Sequence, residues 1–466
     1  MGKMTKTLAA AGLAALSIAA AKAEKPNILL VVADDLGYAD LSFTGKRVST
    51  PNIDSIAKNG VFFTNGYVTN SVCAPSRAGL LTGQFGSEFG FERNVLPDSD
   101  HGLDVNEKTM GDCLREDGYR TFCLGKWHLG EDKEYHPNKR GFDEFWGFLG
   151  GSRTYNAIKP GGYWDTSDKH LEHNGKRVKE IPGYHMTDRL TDKALEYINT
   201  HHKESPKQPF FMYLSYTAPH CPFESDKARF DRAGKFHKFK NKRDQNYAGL
   251  ILGLDDGVGK VVKCLKDNGI YKNTIIVFLS DNGGPKQWAD NAPLRGGKGT
   301  LWEGGVRVPF MIQWPGKIPK GQTIAKQIIA IDLLPTFMKA TGASEKVKYK
   351  TNGIDLLPYL TKKETVWPDR YLYWRRGKKG YCAIRYKNFK YITLKASGKK
   401  WLFDLDKDVA ETKDISDSNP ELVEKLKTKF SAWEKQLPEP SWNFPWPIPP
   451  SWPRRSPTRA SKILRK

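Results

Sequence analysis

The chain reads as an α/β protein: a large, mostly parallel sheet flanked by helices, followed by a smaller α+β domain at its C-terminal end. Three observations predict this. Continuous apolar runs such as "PNILLVVADD" (26–35), "FFMYLSY" (210–216) and "TIIVFLSDNGG" (274–284) suit strands buried on both faces of a parallel sheet. Segments of 3.6-residue apolar period lie between them, which makes strands and helices alternate. Past residue 370 the pattern changes to short alternating runs typical of antiparallel strands.

The elements follow in chain order. "MGKMTKTLAAAGLAALSIAAAKA" has Lys3 and Lys6, an apolar stretch from Leu8 to Ala20, and the small-x-small triplet Ala21-Lys22-Ala23. It reads as a signal peptide, 1–23, so the mature chain would begin near Glu24 and be exported, periplasmic or secreted. The stretch is too short to span a membrane, and no other run of about 18 apolar residues predicts an integral segment in the mature chain. Helices are predicted at 51–60, closed by Gly60, at 187–203, at 247–269, closed by Asn-Gly, and at 331–342. A polar, lysine-rich stretch, 343–353, reads as a linker. The larger domain is placed at 24–345 and the smaller at 346–440, with strands in "RYLYWRR", "YCAIRYKNFKYITL" and "KKWLFDLDKD" and a helix over 420–437. Residues 441–466 form a Pro/Trp-rich basic tail unsuited to regular structure.

With Lys+Arg 74 against Asp+Glu 52, the formal charge is +22, which steers anions toward the surface. No helix-turn-helix, zinc-finger or RNA-binding signature accompanies that charge, so nucleic acid is not the expected partner. For an exported chain a sulfated or carboxylated glycan is at least as good a match. The six cysteines (73, 113, 123, 221, 264, 382) include no C-x-x-C pair and are too few for a disulfide scaffold. One bridge among the five besides Cys73 is compatible with the sequence, without an assignable pairing.

Ligand sites in such sheets lie beyond the carboxyl ends of the strands. Asp34-Asp35 ends the first apolar run and Asp281-Asn282 a later one. Together they would form an all-oxygen cage suited to Ca²⁺ or Mg²⁺; singly, each reads as a cap or turn former. In "SVCAPSRAGLLTGQ" (71–84), Pro75 suits the first position of a helix and so puts Cys73 at or just before its N-terminus, where an anion is favoured. Cys73 by itself reads equally as a small buried hydrophobe. Arg77 adds positive charge. "LGKWHLG" would set Lys126 and His128 on one face of an extended segment, "APHCPF" puts His220 at a strand end, and a glycine-rich loop carries Lys298. Lysine and histidine donors can neutralise an oxyanion and protonate a leaving oxygen, although singly these read as surface lysines and a turn histidine.

Jointly, these blocks resemble a family. "CAPSRAGLLTG" is similar to the C-x-P-S-R-x-x-L-x-T-G signature of type I sulfatases, and "GKWHLG" to their second signature. "ADDLGYAD", "PHCPF", "SDNGG", "GGKGTLWEGGVRVPF" and "LFDLDKDVAETKDIS" match further family blocks in order, so the resemblance runs from about residue 25 to 435. "HPNKRGFDEFWGFLGG" is most like the arylsulfatase A and N-acetylgalactosamine-6-sulfatase branch.

The resemblance implies an alkaline-phosphatase-like fold and a sulfatase that hydrolyses sulfate esters, with a sulfated saccharide or polysaccharide as the expected substrate. It implies that a maturation enzyme converts Cys73 to Cα-formylglycine, whose hydrate attacks sulfur. Asp34, Asp35, Asp281, Asn282 and the modified Cys73 would hold one Ca²⁺. Arg77 would steady the hydrate, and Lys126 and Lys298 would bind sulfate oxygens. His220 would be the general acid and His128 the acceptor of the proton whose loss releases sulfate. Stretches 91–101, 151–176 and "WRRGKKG" would line the leaving-group pocket. Two alternatives remain open: a formylglycine-dependent phosphonate monoester or phosphodiester hydrolase, and a catalytically silent binder of sulfated glycans carrying unmodified Cys73.

Overall fold

At the centre of the molecule the apolar run Asn27–Ala33 pairs in parallel with Phe210–Ser215 on one side and Thr274–Ser280 on the other. The computed structural model describes residues 24–442 apart from 98, 344–345 and 378–379. The N-terminal leader and the tail from 443 lie outside the described residues. Arg120–Lys126 and Glu144–Phe148 continue the parallel set, and a short antiparallel hairpin, Glu172–His173 with Lys176–Arg177, closes that edge. On the other side Phe310–Gln313 enters antiparallel, followed by Val61–Phe63 and Gln322–Ile324, which completes ten strands.

Alternation along Asn27–Ala33 explains why both faces must be covered. Ile28, Leu30 and Val32 join one core with Ala78, Leu81, Leu114 and Phe337. Leu29, Val31 and Ala33 join the opposite core with Ile53, Leu190, Leu254 and Val258. Each such Val, Leu, Ile or Phe side chain contributes about 1.5–3 kcal/mol on burial. Helices Cys73–Thr82, Met110–Glu116 and Leu333–Ala340 therefore lie on the first face. Pro51–Lys58, Met186–Glu204 and Lys242–Asp267 lie on the second. The last starts five residues before the apolar period reveals it, because the Asn241 side chain caps it by accepting the Asp244 N–H at 3.0 Å.

The C-terminal strands Tyr371–Arg375, Tyr381–Tyr386, Phe389–Leu394 and Lys399–Asp404 form one antiparallel sheet. One face packs on the large unit through Trp374, Ile392 and Phe403 against Tyr67, Leu301 and Val306. Its other face takes the helix Pro420–Glu434 through Val423, Leu426 and Phe430. All six cysteines are free thiols, so no bridge forms among the five besides Cys73. No helix among the described residues is long and apolar enough to cross a membrane.

Candidate active site

Parallel pairing brings four strand ends to one edge. Asp34 and Asp35 follow Ala33, Asp281 and Asn282 follow Ser280, Lys126 ends its own strand, and His220 lies five residues beyond Ser215. The helix Cys73–Thr82 starts at the same edge with Cys73 as its first residue. Pro75 is thus its third residue rather than its first. Val72 supplies no side-chain cap; instead Asn94 Oδ1 accepts the Ala74 N–H at 3.0 Å.

Cys73 Sγ lies 3.6 Å from Asp34 Oδ1. Lys126 Nζ donates to Asp34 Oδ2 and Lys298 Nζ to Asp35 Oδ2, each at 2.7 Å. Arg77 reaches Asp281 Oδ2 through Nε (2.9 Å) and Nη2 (2.8 Å), and its Nη2 stands 3.7 Å from Asp34. Tyr213 Oη accepts from Arg77 Nη1, and Ser215 Oγ ties it further to the Lys126 carbonyl. Tyr213 and Ser215 were not legible as site residues, since inside an apolar strand run they look like core. His220 holds the Cys221 carbonyl through Nδ1 (2.6 Å), with Nε2 3.5 Å from Asp35.

His128 departs from the expected extended geometry. The strand stops at Lys126, and His128 adopts φ 61°, as Asp35 does at φ 66°. Left-handed backbone in a residue other than glycine costs on the order of 1 kcal/mol and clusters at functional sites. The turn separates the two side chains: Lys126 meets Asp34, whereas His128 Nε2 faces the Val95 carbonyl at 3.3 Å. A carbonyl can only accept, so Nε2 carries the proton and Nδ1 is the bare acceptor. That Nδ1 is buried and has no hydrogen-bond partner. Lys126 is fully buried, not a surface lysine.

Burial and mutual proximity set the charges. Burial raises the Cys73 thiol, but Lys126 and Lys298 outweigh it and bring the pKa down to about 7. Burial, then the Asp34 charge, pushes Asp281 up against the pull of Arg77. Asp35 is held well below the carboxylate range, since Lys298, His220 and Lys126 overcome its burial. Burial opposes charge on His220, yet Asp34 and Asp35 keep it protonated. Burial, Lys126 and Arg77 keep His128 neutral.

Ligand-type atoms of Asp34, Asp35, Cys73 and His220 lie within 4.8 Å of one another. Asp281 joins this group by accepting the Asp35 N–H at 3.2 Å, and Asn282 by donating to Asp35 Oδ1 at 2.8 Å. Asn282 Oδ1 is left buried with no hydrogen-bond partner. Three crowded carboxylates and an orphaned carbonyl oxygen are a donor set that fits a hard divalent cation. The loop after Asn282 is held close by Gly283, where a Cβ would stand 1.7 Å from the Gly304 carbonyl. Gly283 N–H donates to Gly305 O and Lys298 N–H to Gly284 O, so the metal-type loop and the lysine loop are one unit.

This arrangement agrees with known proteins. Residues 26–343 match the family described as Sulfatase, and 297–436 match N-sulphoglucosamine sulphohydrolase, C-terminal. Arylsulfatase J of Mus musculus is 30% identical over 93% of this chain and 79% of its own length. N-acetylgalactosamine-6-sulfatase of Mus musculus is 32% identical over 78% and 72%. The crystal structure of Ps i-CgsB in complex with k-i-k-neocarrahexaose superposes with a TM-score of 0.83 at 39% identity, covering 90% of this chain and 95% of that one. A mostly parallel sheet with an anion-ready cluster at its carboxyl edge and a chain-long match of this kind lead to one assignment: the chain belongs to the sulfatase family and is a sulfuric ester hydrolase.

Proposed function

We propose that the chain is a formylglycine- and Ca²⁺-dependent sulfatase acting on a sulfated polysaccharide, with a carrageenan-type galactan as the first candidate. The observation that carries this reading is the position of Cys73. It is the first residue of a buried helix, 3.6 Å from Asp34 and within a cluster that also holds Asp35, Arg77, Lys126 and Lys298. The galactan follows from the similarity to a structure bound to a neocarrahexaose and from the +22 charge.

Oxidised to formylglycine by a maturation enzyme, residue 73 would supply a hydrate hydroxyl as nucleophile in place of a thiolate. Ca²⁺, held by Asp34, Asp35, Asp281 and Asn282, would withdraw charge from the sulfate oxygens. The side chains around it have distinct tasks. Lys126 and Lys298 pair with sulfate oxygens and neutralise charge. Arg77, fixed by Asp281, Tyr213 and Ser215, orients residue 73. His220, kept protonated by its acidic neighbours, gives its proton to the departing saccharide oxygen as the S–O bond breaks. As one hydrate oxygen bonds to sulfur, its proton would pass to the Asp281 carboxylate, leaving residue 73 as a sulfate ester. His128 then accepts at Nδ1 the proton of the other hydroxyl, so the aldehyde C=O re-forms as the C–O bond to sulfate breaks and inorganic sulfate leaves. The leader pattern at 1–23 adds export, periplasmic or secreted, to the proposal.

Mass spectrometry of the peptide spanning Cys73 and sulfate release from carrageenan oligosaccharides test the reading. Expected are a mass about 18 Da below the cysteine form and turnover that Cys73→Ala lowers at least about 10⁴-fold with the fold intact. Turnover that survives Cys73→Ala, or dominant activity on phosphonate monoesters, refutes it.

A further inference from the structure

Two loops from distant parts of the chain meet over the start of the Cys73 helix. The loop 91–95 touches that helix through Asn94, whose Oδ1 accepts the Ala74 N–H. The second, 375–377, leaves the strand Tyr371–Arg375. One carboxylate staples them together: Glu92, only 2% exposed, accepts from Arg375 Nε at 2.8 Å and from the Gly377 N–H at 2.9 Å. The Glu92 charge is thereby matched by Arg375.

The next residue on each loop is again an arginine. Arg93 Nη2 lies 2.9 Å from where a Cβ on Gly377 would stand. Arg376 Nη1 lies 3.6 Å from the same point on Gly299, the residue after Lys298. Arg376 is partly buried, and its guanidinium has no hydrogen-bond or ion-pair partner among the described residues. Burial and the neighbouring Arg93 charge both lower its pKa. Two guanidiniums held close by a buried staple, beside the catalytic lysine loop, concentrate positive charge there, and the Arg376 fork has donors to spare for an anion. Their forked donors match the several oxygens of a tetrahedral oxyanion.

We propose that Arg93 and Arg376 form a subsite for a second sulfate on the saccharide whose first sulfate is cleaved, so that the enzyme selects polysulfated over monosulfated neighbours. This rests on the sulfatase reading above. Neither arginine touches the reacting sulfur; both act on substrate choice.

The test compares oligosaccharides of κ- and ι-carrageenan, which share a galactose 4-sulfate and differ by a sulfate on the adjacent anhydrogalactose. Binding to the Cys73→Ala protein is measured by calorimetry, and kcat/KM on the active enzyme. The ι probe should be favoured by about tenfold or more in both, the scale of a charge-assisted contact. Arg376→Gln and Arg93→Gln should each collapse the ι/κ ratio toward one, mainly through KM, and Arg376→Lys should restore part of it. Damage to the fold would lower both probes together and keep the ratio. A ratio unchanged in both Gln variants, no wild-type preference, or no binding of either probe overturns the subsite. Sulfate release from 4-methylumbelliferyl sulfate separates the two readings. Release without probe preference sinks only the subsite; absence of release from any ester sinks the sulfatase reading, while the binding ratio still reads the subsite.

Discussion

Lys298 and Glu303 stand five residues apart, one on a loop and the other opening the short helix Glu303–Val306, yet they belong to two different charge clusters. In the first, Asp34, Asp35 and Asp281 are packed together, Asp281 is pushed up by burial and by Asp34, and Asn282 Oδ1 has no partner. In the second, Glu303 accepts from Tyr67 Oη (2.6 Å), Lys390 Nζ (2.7 Å) and Arg307 Nη1 (3.3 Å), with Arg385 3.8 Å away. Lys390 also meets Glu411 at 3.1 Å, and Glu411 accepts the Glu303 N–H at 2.7 Å. There, opposite charges alternate, and the cluster fastens the C-terminal sheet to the large one. The first cluster also pairs its acids, with Lys126, Lys298 and Arg77, but it packs three carboxylates side by side, leaves Asn282 Oδ1 and His128 Nδ1 unpartnered and reaches solvent through Lys298. Unmet donors and acceptors, more than the number of ion pairs, separate the two.

Three measurements can break this contrast, the largest effect first. His220→Gln should lower kcat/KM on a saccharide sulfate about 10²–10⁴-fold, and much less on an aryl sulfate, whose leaving oxygen needs little protonation. Equal losses on both would remove His220 as the acid and leave the first cluster purely electrostatic.

Lys390→Met should cost about 3–5 kcal/mol of stability in urea unfolding, because it takes from buried Glu411 its cation and from Glu303 one of several partners. A cost under about 1 kcal/mol would mean that the second cluster anchors nothing.

The smallest effect concerns pH. Burial and Glu303 raise the Glu411 pKa from 4.5 to about 7, against the pull of Lys390. The folded state then holds more protons than the unfolded one between those values, so stability is greatest below about 4.5 and falls as pH rises toward 7. Unfolding free energies from urea titrations should be about 1 kcal/mol or more lower at pH 7.5 than at pH 5 from this residue, and Glu411→Gln should flatten the difference. A midpoint that rises with pH in wild type but not in Glu411→Gln would contradict the assignment.

The strongly periodic elements were legible without coordinates. The runs at 26–35, 210–216 and 274–284 became adjacent strands, and the helices at 187–203 and 247–269 kept their identity with shifted ends. Val61–Phe63 and Phe310–Gln313 escaped notice, being three and four residues long and defined by their neighbours rather than by a period. In the site, most charged and sulfur-bearing residues stood out by type, whereas Tyr213 and Ser215 did not, and Asn94 and Glu92 were legible only as members of the 91–101 stretch. Their roles lie in what they hold: Arg77, the Cys73 helix and the 375–377 loop.

By itself, the sequence determined the layered α/β order, the basic surface and the set of residue types able to bind an anion and a hard cation. These follow from apolar period and side-chain chemistry, which are local. Only the tertiary structure decided that Lys126 turns to Asp34 while His128 turns to Val95, that Asp34 crowds Asp281, and that two arginines 283 positions apart (93 and 376) come close together, Arg376 beside Gly299. Strand register and a left-handed turn set those distances, and electrostatic character depends on distance far more than on composition.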